Sequence, residues 1–135
     1  MARLPFAMDC PFCRPEASRL IAQDDLTLVL RDGYPISPGH CLIVPRRHVA
    51  SFFDIGDDEQ VSMLALVRKV KALLDAEFKP AGYNVGLNDG SAAGQTVMHV
   101  HMHLIPRYPG DRPDPRGGVR WIIPEKADYW STGSK

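Results

Sequence analysis

Between His99 and Leu104 polar and apolar residues alternate strictly, with Val100 and Met102 separating His99, His101 and His103. Period-two alternation is the signature of a half-buried β-strand, because successive side chains point to opposite faces. A strand over residues 95–106 is therefore predicted, with Val100, Met102 and Leu104 turned into the core and the imidazoles in a row on the other face. Same-face neighbours on a strand lie about 6–7 Å apart, from a rise of about 3.3 Å per residue. At that spacing the rings can share a phosphate-sized ligand or a metal ion.

The remaining pattern supplies a frame for this stretch. Apolar runs at 20–22 and 26–30 flank the turn signal Gln23-Asp24-Asp25, which predicts a β-hairpin. Residues 32–39 are dense in Pro, Gly and Ser and form a loop. Cys41-Leu42-Ile43-Val44 is a continuous apolar strand stopped by Pro45. Val61, Leu64, Val67, Val70, Leu73 and Leu74 recur mostly at three-residue steps, predicting a helix over 57–78 with these residues on one face. Acidic residues in its first turn suit the helix dipole, and Lys79-Pro80 closes it. A strand at 83–87, a glycine-bearing turn at 88–94 and the histidine strand make a second hairpin pattern. Residues 108–118 read as a surface loop, and the tail 120–130, with Trp121, Trp130 and Ile122-Ile123, as a docking segment. Strands joined by hairpin-like connections around one long helix predict an α+β domain on an antiparallel sheet.

A length of 135 residues fits one domain with a real core. The formal charge of zero gives no reason to expect a nucleic-acid partner, and Arg46-Arg47-His48 is read as a solvated turn. No stretch has the apolar length of a membrane span, and Met1–Met8 lacks a secretion pattern, so a cytoplasmic location is expected. Three cysteines, an odd number, argue against a disulfide framework. Cys41 lies in the apolar strand and is expected to be a small buried hydrophobe. Cys10 and Cys13 have the spacing of a metal knuckle.

Two chemistries suit the clustered histidines. A neutral imidazole whose other nitrogen is held by an acceptor can attack phosphorus and form a phospho-histidine that water then resolves. Asn88, Gln95 and Thr96 lie where they can donate to phosphate oxygens. Alternatively, histidines bind metal. Cys10, Cys13 and two histidines complete a closed, structural zinc site, for which His48 and His99 are candidates because neither is the central histidine of the triad. A catalytic zinc held by His99, His101 and His103 together is the less favoured arrangement, since no carboxylate base lies within the motif.

The string His99-Val100-His101-Met102-His103-Leu104-Ile105 resembles the histidine triad signature of the HIT superfamily of nucleotide hydrolases and transferases. Pro38 through Pro45 and Asn88-Asp89-Gly90 through Val97 resemble that family's strand entrance and phosphate-binding approach. The resemblance implies a single HIT domain over 1–135, with a zinc knuckle in 1–16 and a C-terminal loop and docking tail in 108–135. The implied fold is a HIT-like antiparallel sheet of about five strands with one long and one shorter helix, dimerising into a continuous sheet.

Carried over residue by residue, the resemblance makes His101 the nucleophile, fixed by the carbonyl of His99, with His103 on the phosphate and His40 completing the polar cluster. Asn88, Gln95 and Thr96 would bind phosphate oxygens, Asp32 the ribose, and Pro11, Phe12 and Leu30 the base. Cys10, Cys13, His48 and His99 match the zinc ligands of the bacterial members. The implied activity is cleavage of a dinucleoside polyphosphate, or a related conjugate of an adenine nucleotide, to a nucleoside monophosphate, with Mg2+ accompanying the substrate. His103, where transferases and phosphorylases carry Gln, favours hydrolysis. Asp32 is the choice of the purine nucleoside phosphoramidases, which are the alternative, together with a nucleotide-binding signalling protein whose catalysis is incidental.

Overall fold

Five antiparallel strands form one sheet in the spatial order β1-β2-β3-β5-β4. They are β1 (Leu20–Gln23), β2 (Thr27–Arg31), β3 (Cys41–Pro45), β4 (Gly82–Leu87) and β5 (Met102–Arg107), and two α-helices accompany them, α1 (Asp57–Phe78) and α2 (Pro124–Ala127). The computed structural model describes residues 9–131, so the ends of the predicted lead-in (1–8) and tail (132–135) lie outside the described residues. Among the described residues no helix is long and apolar enough to cross a membrane.

The predicted hairpins form. Leu30 pairs with Leu20 and Leu28 with Gln23 in the first, while Gly82 pairs with Arg107 and Leu87 with Met102 in the second. One sheet face receives α1. Val29, Cys41, Ile43, Met102 and Leu104 there meet Met63, Leu66, Val70 and Leu74 of the helix in the main core. The Cys41 thiol, fully buried in this core, is pushed up to about 12, as the small-hydrophobe reading requires. The opposite face carries Leu30, Leu42 and Val44, covered by Cys10 and Phe12 from the lead-in.

Two sequence expectations are corrected. The helix spans the predicted residues, but the six apolar residues do not share one face: Val70 and Leu74 are buried, whereas Val61, Leu64 and Leu73 are 66, 55 and 48% exposed. Each three-residue step falls about 60° short of a full turn at 3.6 residues per turn, so such a series walks around the helix. The buried set Met63, Leu66, Val70 and Leu74 mixes steps of three and four and stays on one side. Gly56 is the N-cap, and the Glu59 carboxylate accepts its N–H at 2.9 Å.

The histidine strand is also shorter than predicted. It begins at Met102, opposite Leu87 at the end of β4, and β3 pairs with it over Cys41, Leu42 and Ile43 alone. Upstream, the Val100 N–H donates to the Val49 carbonyl at 2.8 Å, outside the ladder. Val100, Met102 and Leu104 are buried as alternation requires, yet His99 and His101 are buried too. The row of imidazoles is therefore enclosed, and only His103 stands on a strand.

Gly39 needs its glycine. At φ +90 an added Cβ would lie 3.1 Å from both the Phe78 ring and the Pro106 ring. The loop leading to His40 is thus pressed onto the last turn of α1. In the tail, Ala127 is buried and Arg120 donates to the carbonyls of Lys126 and Ala127, so the segment folds on itself. Gly118 sits close to the Asn84 side chain of β4, which seats the tail on the sheet.

Candidate active site

A neutral imidazole has one donor and one acceptor nitrogen, so fixing one fixes the other. In His101, Nδ1 lies 2.8 Å from the His99 carbonyl oxygen, which can only accept. Nδ1 therefore carries the proton, and Nε2 is left with a bare lone pair. In His99, Nε2 donates to the Pro45 carbonyl at 2.7 Å, leaving Nδ1 bare. These tautomers are assigned from the hydrogen-bond partners.

A second chain of contacts fixes His103. The Ile36 N–H donates to Nδ1 of His40 at 3.1 Å, so the His40 proton sits on Nε2. That Nε2 faces Nδ1 of His103 at 2.9 Å and the Asp32 carboxylate at 3.2 Å. Donation to His103 makes Nδ1 of that ring the acceptor and leaves an N–H at Nε2. Burial lowers the pKa of both His40 and His103, outweighing the Asp32 carboxylate beside them, so both rings are neutral at neutral pH. A nucleophile without a proton and a donor with one thus stand two residues apart, their ring centroids 5.4 Å from each other.

Around them the predicted nucleotide-binding residues take different positions. Phe12 packs its ring 4.9 Å from that of His101, beside exposed Pro11, whereas Leu30 is fully buried in the cluster beneath. Asp32 accepts the Tyr34 N–H through one oxygen and faces His40 with the other. Gln95 is buried, and its amide is committed to backbone. Its oxygen accepts from Gly90 N–H and its nitrogen donates to the carbonyls of Ala50 and Val97. That amide shapes the turn, whereas the Asn88 and Thr96 side chains are exposed.

Some contributors carried no sequence signal. The Pro45 carbonyl and the Ile36 N–H set tautomers through backbone atoms, which any residue type has. Gly86, paired with His103 across the ladder, leaves open space where a side chain would stand. Asp89 ties the turn to the 51–52 segment by accepting from Ser51 Oγ and Phe52 N–H.

Cys10, Cys13, His48 and His99 converge, with their ligand atoms all within 4.8 Å of one another. Nδ1 of His99 lies 3.5 Å from Cys10 Sγ, 3.6 Å from Cys13 Sγ and 3.3 Å from Nδ1 of His48. Tetrahedral zinc with Zn–N of about 2.05 Å and Zn–S of about 2.3 Å requires edges of about 3.35 Å between nitrogens and about 3.55 Å between sulfur and nitrogen. The donor set therefore fits a closed zinc site. It also divides the triad: the bare nitrogen of His99 points to the cysteines, while Nδ1 of His101 faces the His99 carbonyl and Nδ1 of His103 faces His40. The three rings do not converge on one ion.

Comparison with known proteins shows the family. The model of the HIT domain matches residues 14–110. A bis(5'-nucleosyl)-tetraphosphatase (asymmetrical) of Schizosaccharomyces pombe is 37% identical over 97 residues, 72% of this chain and 53% of its own length. An AP-4-A phosphorylase of Mycobacterium tuberculosis is 34% identical over 108 residues, covering 79% of this chain and 55% of that protein. The chain thus spans about half the length of these two curated relatives. Among solved structures, a zinc-bound histidine triad family protein from Mycobacterium smegmatis superposes with a TM-score of 0.70 at 30% identity, over 79% of this chain and 85% of that one. With a sheet, a triad and a family model in agreement, the chain belongs to the HIT domain family.

Proposed function

We propose that this protein is a nucleotide hydrolase that cleaves dinucleoside polyphosphates to a nucleoside monophosphate through a nucleotidyl-His101 intermediate. The observation that carries the reading is the bare Nε2 of His101, held outward by the bond from its Nδ1 to the His99 carbonyl. That lone pair attacks the α-phosphorus, forming an N–P bond as the P–O bond to the nucleoside polyphosphate breaks. The leaving group departs with the electron pair, and the His103 Nε2–H stabilises the charge developing on phosphate oxygen. The His99 carbonyl stabilises the cationic imidazole of the intermediate. Water then attacks phosphorus and gives its proton to solvent, the N–P bond breaks, and the pair returns to Nε2.

Phe12 and Pro11 would flank the base and Asp32 would take the ribose, while Asn88 and Thr96 would hold phosphate oxygens. A zinc ion at Cys10, Cys13, His48 and His99 would be structural, since four protein ligands leave no open position. It would anchor the lead-in that brings Phe12 to His101. The name of the Mycobacterium tuberculosis relative favours a second reading in which inorganic phosphate, rather than water, resolves the same intermediate. A homodimer is also proposed, built on the exposed Val61 and Leu64 of α1 and the edge strand β4.

Products distinguish these readings. Diadenosine tetraphosphate incubated without phosphate should yield AMP and ATP, and adenosine phosphoramidate tests the phosphoramidase alternative. Absence of AMP from any of these substrates, with folded protein, overturns the hydrolase reading; ADP formed only with added phosphate would assign phosphorolysis.

A further inference from the structure

Beyond the triad, the same sheet face runs on into a cavity of about 650 Å³ closed by the C-terminal tail. His103 and Ile105 are same-face neighbours on β5, so the cavity floor at Ile105 begins about 6–7 Å from the His103 position. Asn84 of β4 pairs with Ile105 and lines the floor beside it. Its walls are Ile36, in the loop whose N–H fixes His40, and Val119 and Trp121 from the tail. The passage is unobstructed on the β4 side, because Gly86, paired with His103, has open space where a Cβ would be.

This cavity has the size of a small-molecule site, with an apolar part at Ile36, Ile105, Val119 and Trp121 and a charged rim whose carboxylates, Asp111 and Asp114, are paired with Arg107 and Arg116. The Trp121 indole is anchored by its Nε1–H, which donates to the Arg116 carbonyl at 2.7 Å. Two arginines line the space. Arg107 is committed to Asp111 and Asn84. Arg112, by contrast, makes no side-chain hydrogen bond or ion pair among the described residues, although it is exposed at the cavity. A flat apolar wall beside an uncommitted guanidinium matches an aromatic base carried on an anionic chain.

We propose that the tail-closed cavity is the subsite for the leaving half of the substrate: it takes the second nucleobase against Trp121 while Arg112 holds the distal phosphates. The proposal rests on the hydrolase reading for the position of the scissile phosphate, and it narrows the substrate class to nucleotides with an aromatic leaving group on a polyphosphate. A nucleotide with a minimal leaving group would use the triad and leave this cavity empty.

The test is a binding comparison in the His101→Asn protein, with AMP and diadenosine tetraphosphate titrated separately by calorimetry. The dinucleotide should bind at least tenfold tighter than AMP. Adding Trp121→Ala or, separately, Arg112→Ala should remove at least fivefold of that advantage while AMP affinity stays within twofold. Arg112 is exposed, so its variant keeps the test valid if Trp121→Ala loosens the tail. Equal affinity of the two ligands in the parent, or a full advantage retained in either variant, overturns the proposal. Failure of the wild-type protein to turn over any dinucleotide would instead overturn the hydrolase reading, and the binding difference would still be measurable.

Discussion

The backbone carbonyl of His99 holds Nδ1 of His101 at 2.8 Å while the ring of the same His99 faces Cys10 Sγ at 3.5 Å. One residue therefore belongs both to the thiol–imidazole cluster and to the setting of the nucleophile. If zinc occupies that cluster, its removal should disturb chemistry it never touches. Elemental analysis should find one zinc per chain, and Cys13→Ser should abolish it. The variant should melt on the order of 10 °C lower, since loss of a structural metal removes several kcal/mol of folding energy. Wild-type protein that is metal-free and equally stable would contradict this.

His101→Asn removes the attacking lone pair and keeps a side chain of similar polarity. Turnover of diadenosine tetraphosphate should fall at least about 10³-fold, the scale seen when a nucleophile is removed. Nucleotide binding should persist, and mass spectrometry should no longer trap an adenylylated protein.

The donor state of His103 depends on His40, whose Nε2 lies 2.9 Å from Nδ1 of His103. With His40→Ala the His103 ring is free to adopt the wrong tautomer. We expect kcat to drop about 10²-fold, the usual scale for a positioned proton donor, with KM little changed. A large rise in KM at constant kcat would point to binding instead.

Burial lowers the pKa values of His40 and His103 in the folded protein below the ordinary imidazole value of about 6.5. Below that value the unfolded chain binds more protons than the folded one, so stability is full above it and falls as pH drops through the lowered folded values. Urea midpoints from pH 8 to 5 should show the decline beginning near 6.5. The acid limb of kcat/KM should lie lower still, because both rings stay neutral past the point where free imidazole charges.

Leu64 is 55% exposed on a helix face that also presents Val61, one turn before it. If that face is the subunit contact, Leu64→Arg should convert a dimer to a monomer in sedimentation, with the helix content unchanged. A wild-type monomer would dismiss the contact.

Much of the fold was legible because it rests on local pattern. The β1–β2 hairpin, the extent of α1 and the burial of Val100, Met102 and Leu104 follow from periodicity and breaker residues. The helix face was misread because a series of three-residue steps looks regular in sequence but precesses around the axis. The enclosure of His99 and His101 was not legible either, since it depends on Cys10 and Pro45 reaching them from distant parts of the chain. Within the site, side-chain types were readable and tautomers were not: Ile36 and Pro45 act through backbone atoms. Gln95 shows the same limit, because its residue type suits phosphate, yet its amide is consumed by Gly90, Ala50 and Val97.

Gly39, with φ +90 and no room for a Cβ beside Phe78 and Pro106, makes the end of α1 the footing on which His40 stands. Deformation of that footing travels along the chain by one residue to His40, and from His40 through a single hydrogen bond to His103. The last helical turn is thus a remote handle on proton placement. Phe78→Ala, in a residue that touches no reacting atom, should leave the nucleophile intact and blur the donor.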